Sequence, residues 1–238
     1  LVVNTGGVNV IEGDRVTASY GEADGIANTD ILTAIEAGNG DFTKKLTLVS
    51  AKTDNGKVDY DLDRIKTAHV SHDYTCGVYT LQNASRETIE FEFRVSNNDI
   101  AIRYNLHKSR QRSSTRVLFE NTGFRFPDGT TTFLTPQSDA MIGWQRSKPS
   151  YEEGYSNDGQ MNVRSQYGHG YTFPGLFHVG QNGWVLLCET GVSSSYCASR
   201  LGDCKDNTYK IEFPMPDENN GNGTVCLIGA LDEERRRF

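Results

Sequence analysis

Residues 87–106 constrain the fold more than any other stretch. Ile89, Phe91, Phe93 and Val95 alternate with Glu90, Glu92 and Arg94. After Ser96-Asn97-Asn98-Asp99, Ile100, Ile102, Tyr104 and Leu106 alternate with Ala101, Arg103 and Asn105. Successive side chains on a strand point to opposite faces, so each run presents one apolar and one polar side. Four turn-forming residues between the runs close an antiparallel hairpin with one face on a core. Arg94 and Arg103 then share the opposite face, where water or a cross-paired glutamate is favoured over a ligand.

The same pattern recurs along the chain. Lys45–Ala51 reads as a strand buried on both faces, Asp54-Asn55-Gly56 as a turn, and Val58–Leu62 as a resumed period-two run. Ile31–Ile35 offers the start of a short helix that Gly38-Asn39-Gly40 stops at once. Arg116–Phe119, Gly123–Phe126, Thr130–Leu134 and Tyr209–Phe213 are further strands. Trp184–Glu189 with Val192–Ser199 reads as a second hairpin, and residues 145–170 as a long polar loop region. A dozen or more candidate strands and no amphipathic helix predict one all-β domain over residues 1–238: a large two-sheet antiparallel sandwich. The 24 glycines fit such a turn-rich protein, and 36% apolar residues suffice for a core.

The chain's formal charge of −7 argues against nucleic acid and anionic membrane surfaces. No apolar run approaches the ~18 residues of a membrane-spanning helix. Five cysteines leave at least one unpaired within a monomer. Across a Thr190-Gly191 turn, Cys188 and Cys197 lie ~13 Å apart, too far for a disulfide. A Cys197–Cys204 bridge stays open, with small buried hydrophobes as the favoured reading. Residues 231–238 form a charged tail.

The functional candidates gather at Trp144–Asn157, WQRSKPSYEEGYSN. Trp144, Tyr151 and Tyr155 are candidate sugar-stacking rings. Glu152 and Glu153, adjacent on an extended loop, point opposite ways and cannot flank one scissile bond as an acid/base couple. His169, between Gly168 and Gly170, is a candidate binding residue. His69 and His72 fall on opposite faces of an extended segment and cannot chelate one metal. Nucleophile elbows, P-loops, dinucleotide fingerprints and zinc spacings are absent. Three functions remain: a domain serving a site completed elsewhere, a free-standing carbohydrate-binding sandwich, and an aldose epimerase. The last needs an acid and a base facing one sugar ring, and spacing assembles no such pair.

An ordered set of segments resembles the N-terminal domain of glycoside hydrolase family 97, the calcium-dependent α-glycosidases. Gly40-Asp41-Phe42-Thr43 with Leu46 is similar to its early run, and Phe93–Tyr104 to its hairpin. Trp144 with Tyr151-Glu152-x-x-Tyr155 resembles its W…YExxY loop. Phe173–Phe177, Trp184–Glu189, Tyr196–Leu201 and Tyr209–Pro214 follow in order, so the likeness covers roughly residues 40–223. The resemblance implies a β-supersandwich of the galactose mutarotase kind. It further implies a (β/α)8 catalytic barrel in cis, about 250 residues that this sequence lacks, along with its catalytic residues. By position Glu152 is the glutamate that helps ligate Ca2+, with Asn97 as a second candidate ligand. The resemblance also implies α-glucosides or α-galactosides as substrates and a periplasmic or secreted location.

Overall fold

The computed structural model describes residues 2–3, 8–9, 16–20, 29–33, 35–38, 40–64, 66, 68–97, 99–107, 114–137, 153–191, 199–213 and 227–229. All of its regular elements are strands. They are β1 (Val2–Val3), β2 (Val8–Asn9), β3 (Val16–Tyr20), β4 (Thr29–Thr33), β5 (Ile35–Ala37), β6 (Gly40–Asp41) and β7 (Thr47–Asp61). Next come β8 (His69–Gln82), β9 (Thr88–Val95), β10 (Ile100–Leu106), β11 (Ser114–Glu120), β12 (Gly123–Arg125) and β13 (Thr131–Phe133). The chain continues with β14 (Gly159–Gln160), β15 (Gly175–Val179), β16 (Gly183–Leu187), β17 (Arg200–Leu201), β18 (Thr208–Glu212) and β19 (Leu227–Gly229). Among the described residues no helix is long and apolar enough to cross a membrane.

Apart from the small β1–β2 pair, the ladders form four antiparallel sheets: β10-β9-β8-β7, β19-β11-β5-β6, β17-β18-β12-β4-β3 and β14-β13-β15-β16. Two apolar cores result. Ile35, Ala37 and Phe42 pack with Tyr79, Leu81, Ile89, Phe91 and Phe93 in the first. Phe126, Leu134, Phe177, Val179, Leu201, Tyr209 and Ile211 build the second around stacked Phe126 and Phe177 rings. Phe124 touches both. The chain passes from one core to the other along β4–β5 and again along β11–β12, within the all-β sandwich expected from the strand pattern.

The hairpin read from period two is present as expected. Its register runs from Ile100↔Val95 to Leu106↔Ile89, closed by Ser96–Asp99. Ile89, Phe91 and Phe93 are buried, while Arg94 and Arg103 lie on the other face and both bond Glu92.

Three expectations are corrected. Asp54-Asn55-Gly56 is not a turn, because β7 runs unbroken through it and pairs with β8 from Thr47↔Gln82 to Asp61↔His69. The Tyr74 ring lies over Gly56 and takes the place of the missing side chain. Residues 45–51 are not buried on both faces: Leu48 and Val49 are 45% and 56% exposed. β7 is the edge strand of its sheet, and its register slips between Leu48 and Ser50. Ile31–Ile35 is not a helix start, since β4 and β5 pair with β12 and β11, and tertiary pairing overrides a weak local preference. β16, which carries Trp184, pairs with β15 from Gly175↔Leu187 through Val179↔Gly183, and the other limb read for the second hairpin is Val192–Ser199. Val192–Ala198 lies outside the described residues. Cys204 carries a free thiol 3.4 Å from Asn162 Oδ1, so the Cys197–Cys204 bridge is absent.

Candidate functional site

The described residues that flank the Trp144–Asn157 segment, 134–137 and 153–158, are tied to one place beside the second core. At the outgoing end, Gln137 N donates to Gly170 O at 2.9 Å, and Pro136 bridges to Tyr171. On the return, Ser156 N donates to Leu134 O at 2.8 Å, and Ser156 Oγ accepts from Leu134 N at 3.1 Å. Thr131 Oγ1 then donates to Asp158 Oδ1 at 3.1 Å, and β14 pairs with β13. A hydroxyl that satisfies a strand-end amide and a backbone pair that closes the ladder fix both feet of the loop.

His169 stands at this base. It precedes Gly170, which accepts from Gln137, and the turn is held by Gly170 N donating to Ser165 Oγ at 2.9 Å. Ser165 N in turn donates to Asp203 Oδ1 at 2.9 Å. Gly168 and Gly170 both have φ of +74°, in the left-handed region. At Gly170 a Cβ would also run into the Leu201 carbonyl, so glycine is required there twice over. Tyr155, 70% exposed, flanks the return limb.

The structure therefore brings Tyr155 and His169 to the two feet of one loop. Trp144, Tyr151 and Glu152 lie outside the described residues. Asn97 is elsewhere: it is exposed in the β9–β10 turn, on the sheet over the first core. His69 and His72 take opposite faces of β8, as expected, with His69 Nδ1 2.9 Å from Asp61 Oδ1. Among the described residues no group of three or more His, Cys, Asp or Glu side chains is placed to hold a metal. Calcium takes six to eight oxygen ligands, so the described residues do not compose a calcium site by themselves.

Two ionic clusters stand out: the first is the cross-paired glutamate read for Arg94 and Arg103, and the second escaped the sequence reading. Glu92 is buried on the outer face of β9, where Arg94 Nε donates to it at 2.9 Å and Arg103 Nε at 3.1 Å. Burial works to raise the Glu92 carboxyl, but Arg103 and Arg94 outweigh it and hold the group below its ordinary range. Arg94 also lies over the Tyr74 ring, 5.3 Å from its centroid. The signal was there: Glu92 and Arg103 are direct cross-strand partners once the hairpin register is set.

The second cluster surrounds Glu120 at the end of β11. Its carboxyl sits among protein atoms and is pushed up to about 7: burial raises it, a Thr122 hydrogen bond partly opposes this, and the Glu189 charge adds to the rise. Glu189 itself receives Ser199 Oγ at 2.6 Å, and Thr122 shares a 2.5 Å hydrogen bond with the Tyr104 hydroxyl. Nothing in the local sequence brings Glu120 near Glu189, which is 69 positions away.

The comparisons with known proteins agree with this geometry. The family model "Glycosyl-hydrolase 97 N-terminal" matches residues 13–216. A solved β-arabinopyranosidase is similar at 44% identity and TM-score 0.78, over 90% of this chain and 36% of that one. A glycoside hydrolase family 97 enzyme from Pseudoalteromonas sp. strain K8 in complex with panose shares the fold at 14% identity and TM-score 0.70, over 92% and 31%. Its acarbose complex gives TM-score 0.68 at the same identity and coverage. No match is found among the curated proteins. The chain thus spans about a third of the length of these solved relatives. With the model matching most of its residues, the chain belongs to the glycoside hydrolase family 97 N-terminal domain family.

Proposed function

We propose that this segment is the non-catalytic N-terminal supersandwich of a calcium-assisted glycosidase and holds Glu152 out as one oxygen ligand for a site on a following catalytic domain. One observation carries the reading: residues 134–137 and Ser156, on either side of the stretch that carries Glu152, are hydrogen-bonded at a single strand-end platform in a member of this family. Glu152 stands four residues before Ser156, so the chain keeps it within ~14 Å of that platform. Calcium bound there would act as a Lewis acid or an electrostatic template; Glu152 would supply one ligand and the neighbouring domain the rest, with Asn97 a more distant candidate.

The substrate class we favour is an α-galactoside or arabinopyranoside rather than an α-glucoside. The 44%-identical relative is a β-arabinopyranosidase, whereas the panose- and acarbose-bound enzyme is only 14% identical. A β-L-arabinopyranosyl ring has the configuration of an α-D-galactosyl ring without its hydroxymethyl group, so one pocket suits both. We place the protein in the periplasm or outside the cell, which fractionation with a periplasmic marker checks.

The test is a panel of nitrophenyl glycosides. The 238-residue chain alone is expected to hydrolyse none, and the longer polypeptide that contains it to act on arabinopyranosides or α-galactosides. Glu152→Gln should weaken the calcium dependence of that activity, and an unchanged calcium titration would refute the ligand role. The second reading, a free-standing carbohydrate-binding module, is favoured by the 70% exposed Tyr155 ring. Calorimetric binding of maltooligosaccharides to the chain alone, lost on Trp144→Ala and indifferent to calcium, would support it.

A further inference from the structure

The β14-β13-β15-β16 sheet carries apolar side chains on both faces, with Thr131, Gln160 and His178 among them on the outer one. Inward, Phe177, Val179, Val185 and Leu187 pack in or against the second core. Outward, Trp184 and Leu186 are 51% and 61% exposed. The ladder sets them in two rows, Trp184 opposite His178 and Leu186 opposite Leu176, with Leu176 opposite Phe133. His178 stacks on the indole at 4.4 Å and 16°, and Phe133 sits 5.4 Å from it. A single exposed leucine needs no explanation, but a contiguous, ordered apolar strip on a sheet does. Strands apolar on both faces belong to a middle layer. Here the second core covers one face, and among the described residues nothing covers Trp184 and Leu186 on the other.

Two observations say what that cover is. The chain spans 36% and 31% of its solved relatives, so in them a much larger body follows this domain. The strip also shares β13 with the loop base: Thr131 and Phe133 carry its edge, and Leu134, the next residue, holds Ser156. Glu152, four residues before Ser156, is kept within ~14 Å of that base, so a domain that it serves meets the same sheet. Stacked His178 occupies one indole face and leucines flank the other row, which suits a protein surface better than a sugar.

We propose that the outer face of β13, β15 and β16 is the seat of the catalytic domain, anchored by Trp184 and Leu186. The inference rests on the reading of this chain as a domain of a longer glycosidase. Such an apolar patch, fixed by ring stacking before contact, loses little side-chain freedom on docking.

Cys188 provides a native probe. It is a free, exposed thiol two residues beyond Leu186, at the same parity of the strand. Labelling of Cys188 by N-ethylmaleimide, followed by peptide mass spectrometry, is compared in the 238-residue chain and in the longer polypeptide. The expected result is at least a tenfold slower reaction in the longer polypeptide. Leu186→Lys should restore the fast rate there, while leaving the unfolding midpoint of the 238-residue chain unchanged. Equal rates in the two polypeptides overturn the proposal. So does a rate in the 238-residue chain that falls with its own concentration alongside a dimer in light scattering, which assigns the face to a second copy. Protection by methyl arabinopyranoside alone assigns it to sugar and also overturns it. Glu152→Gln separates this inference from the functional reading: its calcium titration tests the ligand, whereas its Cys188 rate should stay slow. A reading frame that ends without a further domain overturns both.

Discussion

Replacing Glu120 by glutamine gives a sharp test of the packing between the two cores. Its carboxyl titrates near 7 in the folded chain against 4.5 in an ordinary setting, mainly because burial disfavours the charge. The sign follows from proton binding. Below pH 4.5 both folded and unfolded chains hold the proton, and stability is at its full value. Between pH 4.5 and about 7 the unfolded chain releases it while the folded chain keeps it, so stability falls as pH rises. A shift of roughly 2.5 units, at ~1.36 kcal/mol each, makes the loss about 3 kcal/mol above pH 8. Glutamine keeps the shape and the Thr122 contact but never ionises. Glu120→Gln should therefore match the parent near pH 4 and exceed it by about 2–3 kcal/mol at pH 8. Urea unfolding of the 238-residue chain, followed by tryptophan fluorescence and circular dichroism with coincident transitions, measures the difference. A variant-minus-parent difference constant within ~0.5 kcal/mol from pH 5 to 8 would refute the argument. Glu189→Gln should show the same trend more weakly, since it removes only the neighbouring charge.

Glu92 should behave in the opposite sense: its carboxyl is held below the ordinary range, so its stabilisation is complete above pH 4.5 and lost as pH falls further. Glu92→Gln should cost about 1–3 kcal/mol at pH 7, moderated because Arg94 and Arg103 are half exposed, and an acid-unfolding midpoint no different from the parent would count against it. Phe91→Ala removes a fully buried ring from the first core and should cost about 3–5 kcal/mol by the same urea assay. Gly170→Ala should destabilise the chain by several-fold more than Gly129→Ala. Both positions have positive φ, costing about 1–2 kcal/mol, but only Gly170 would also drive a Cβ into a carbonyl. Comparable losses for the two would exclude the steric argument.

Much of the architecture was legible in local pattern. Period two in residues 87–106 determined the hairpin, its core face and its four-residue turn, because a strand with one buried face tolerates no register slip. The scarcity of helical periodicity determined the fold class. Ordered weak motifs, the GDF run, the 93–104 hairpin and the YExxY loop, carried the family. Where reading failed, a residue's neighbour in space outweighed its neighbours in sequence. Asp54-Asn55-Gly56 reads as a turn until Tyr74 of the next strand covers the glycine. Leu48 and Val49 read as buried until their strand proves to be an edge.

The candidate site divides the same way. The sequence by itself determined that residues 144–157 concentrate aromatic rings and carboxylates. Only the tertiary structure decided that Tyr155 and His169 stand at the two feet of one loop, and that Asn97 belongs to the other core's sheet. It alone placed Glu120 beside Glu189, and lined Trp184 and Leu186 into an uncovered strip. Alternation along a strand is a one-dimensional property, written into the chain by the geometry of its backbone. Which face meets another layer, and which carboxylate meets another charge, depends on ladders that join residues tens of positions apart.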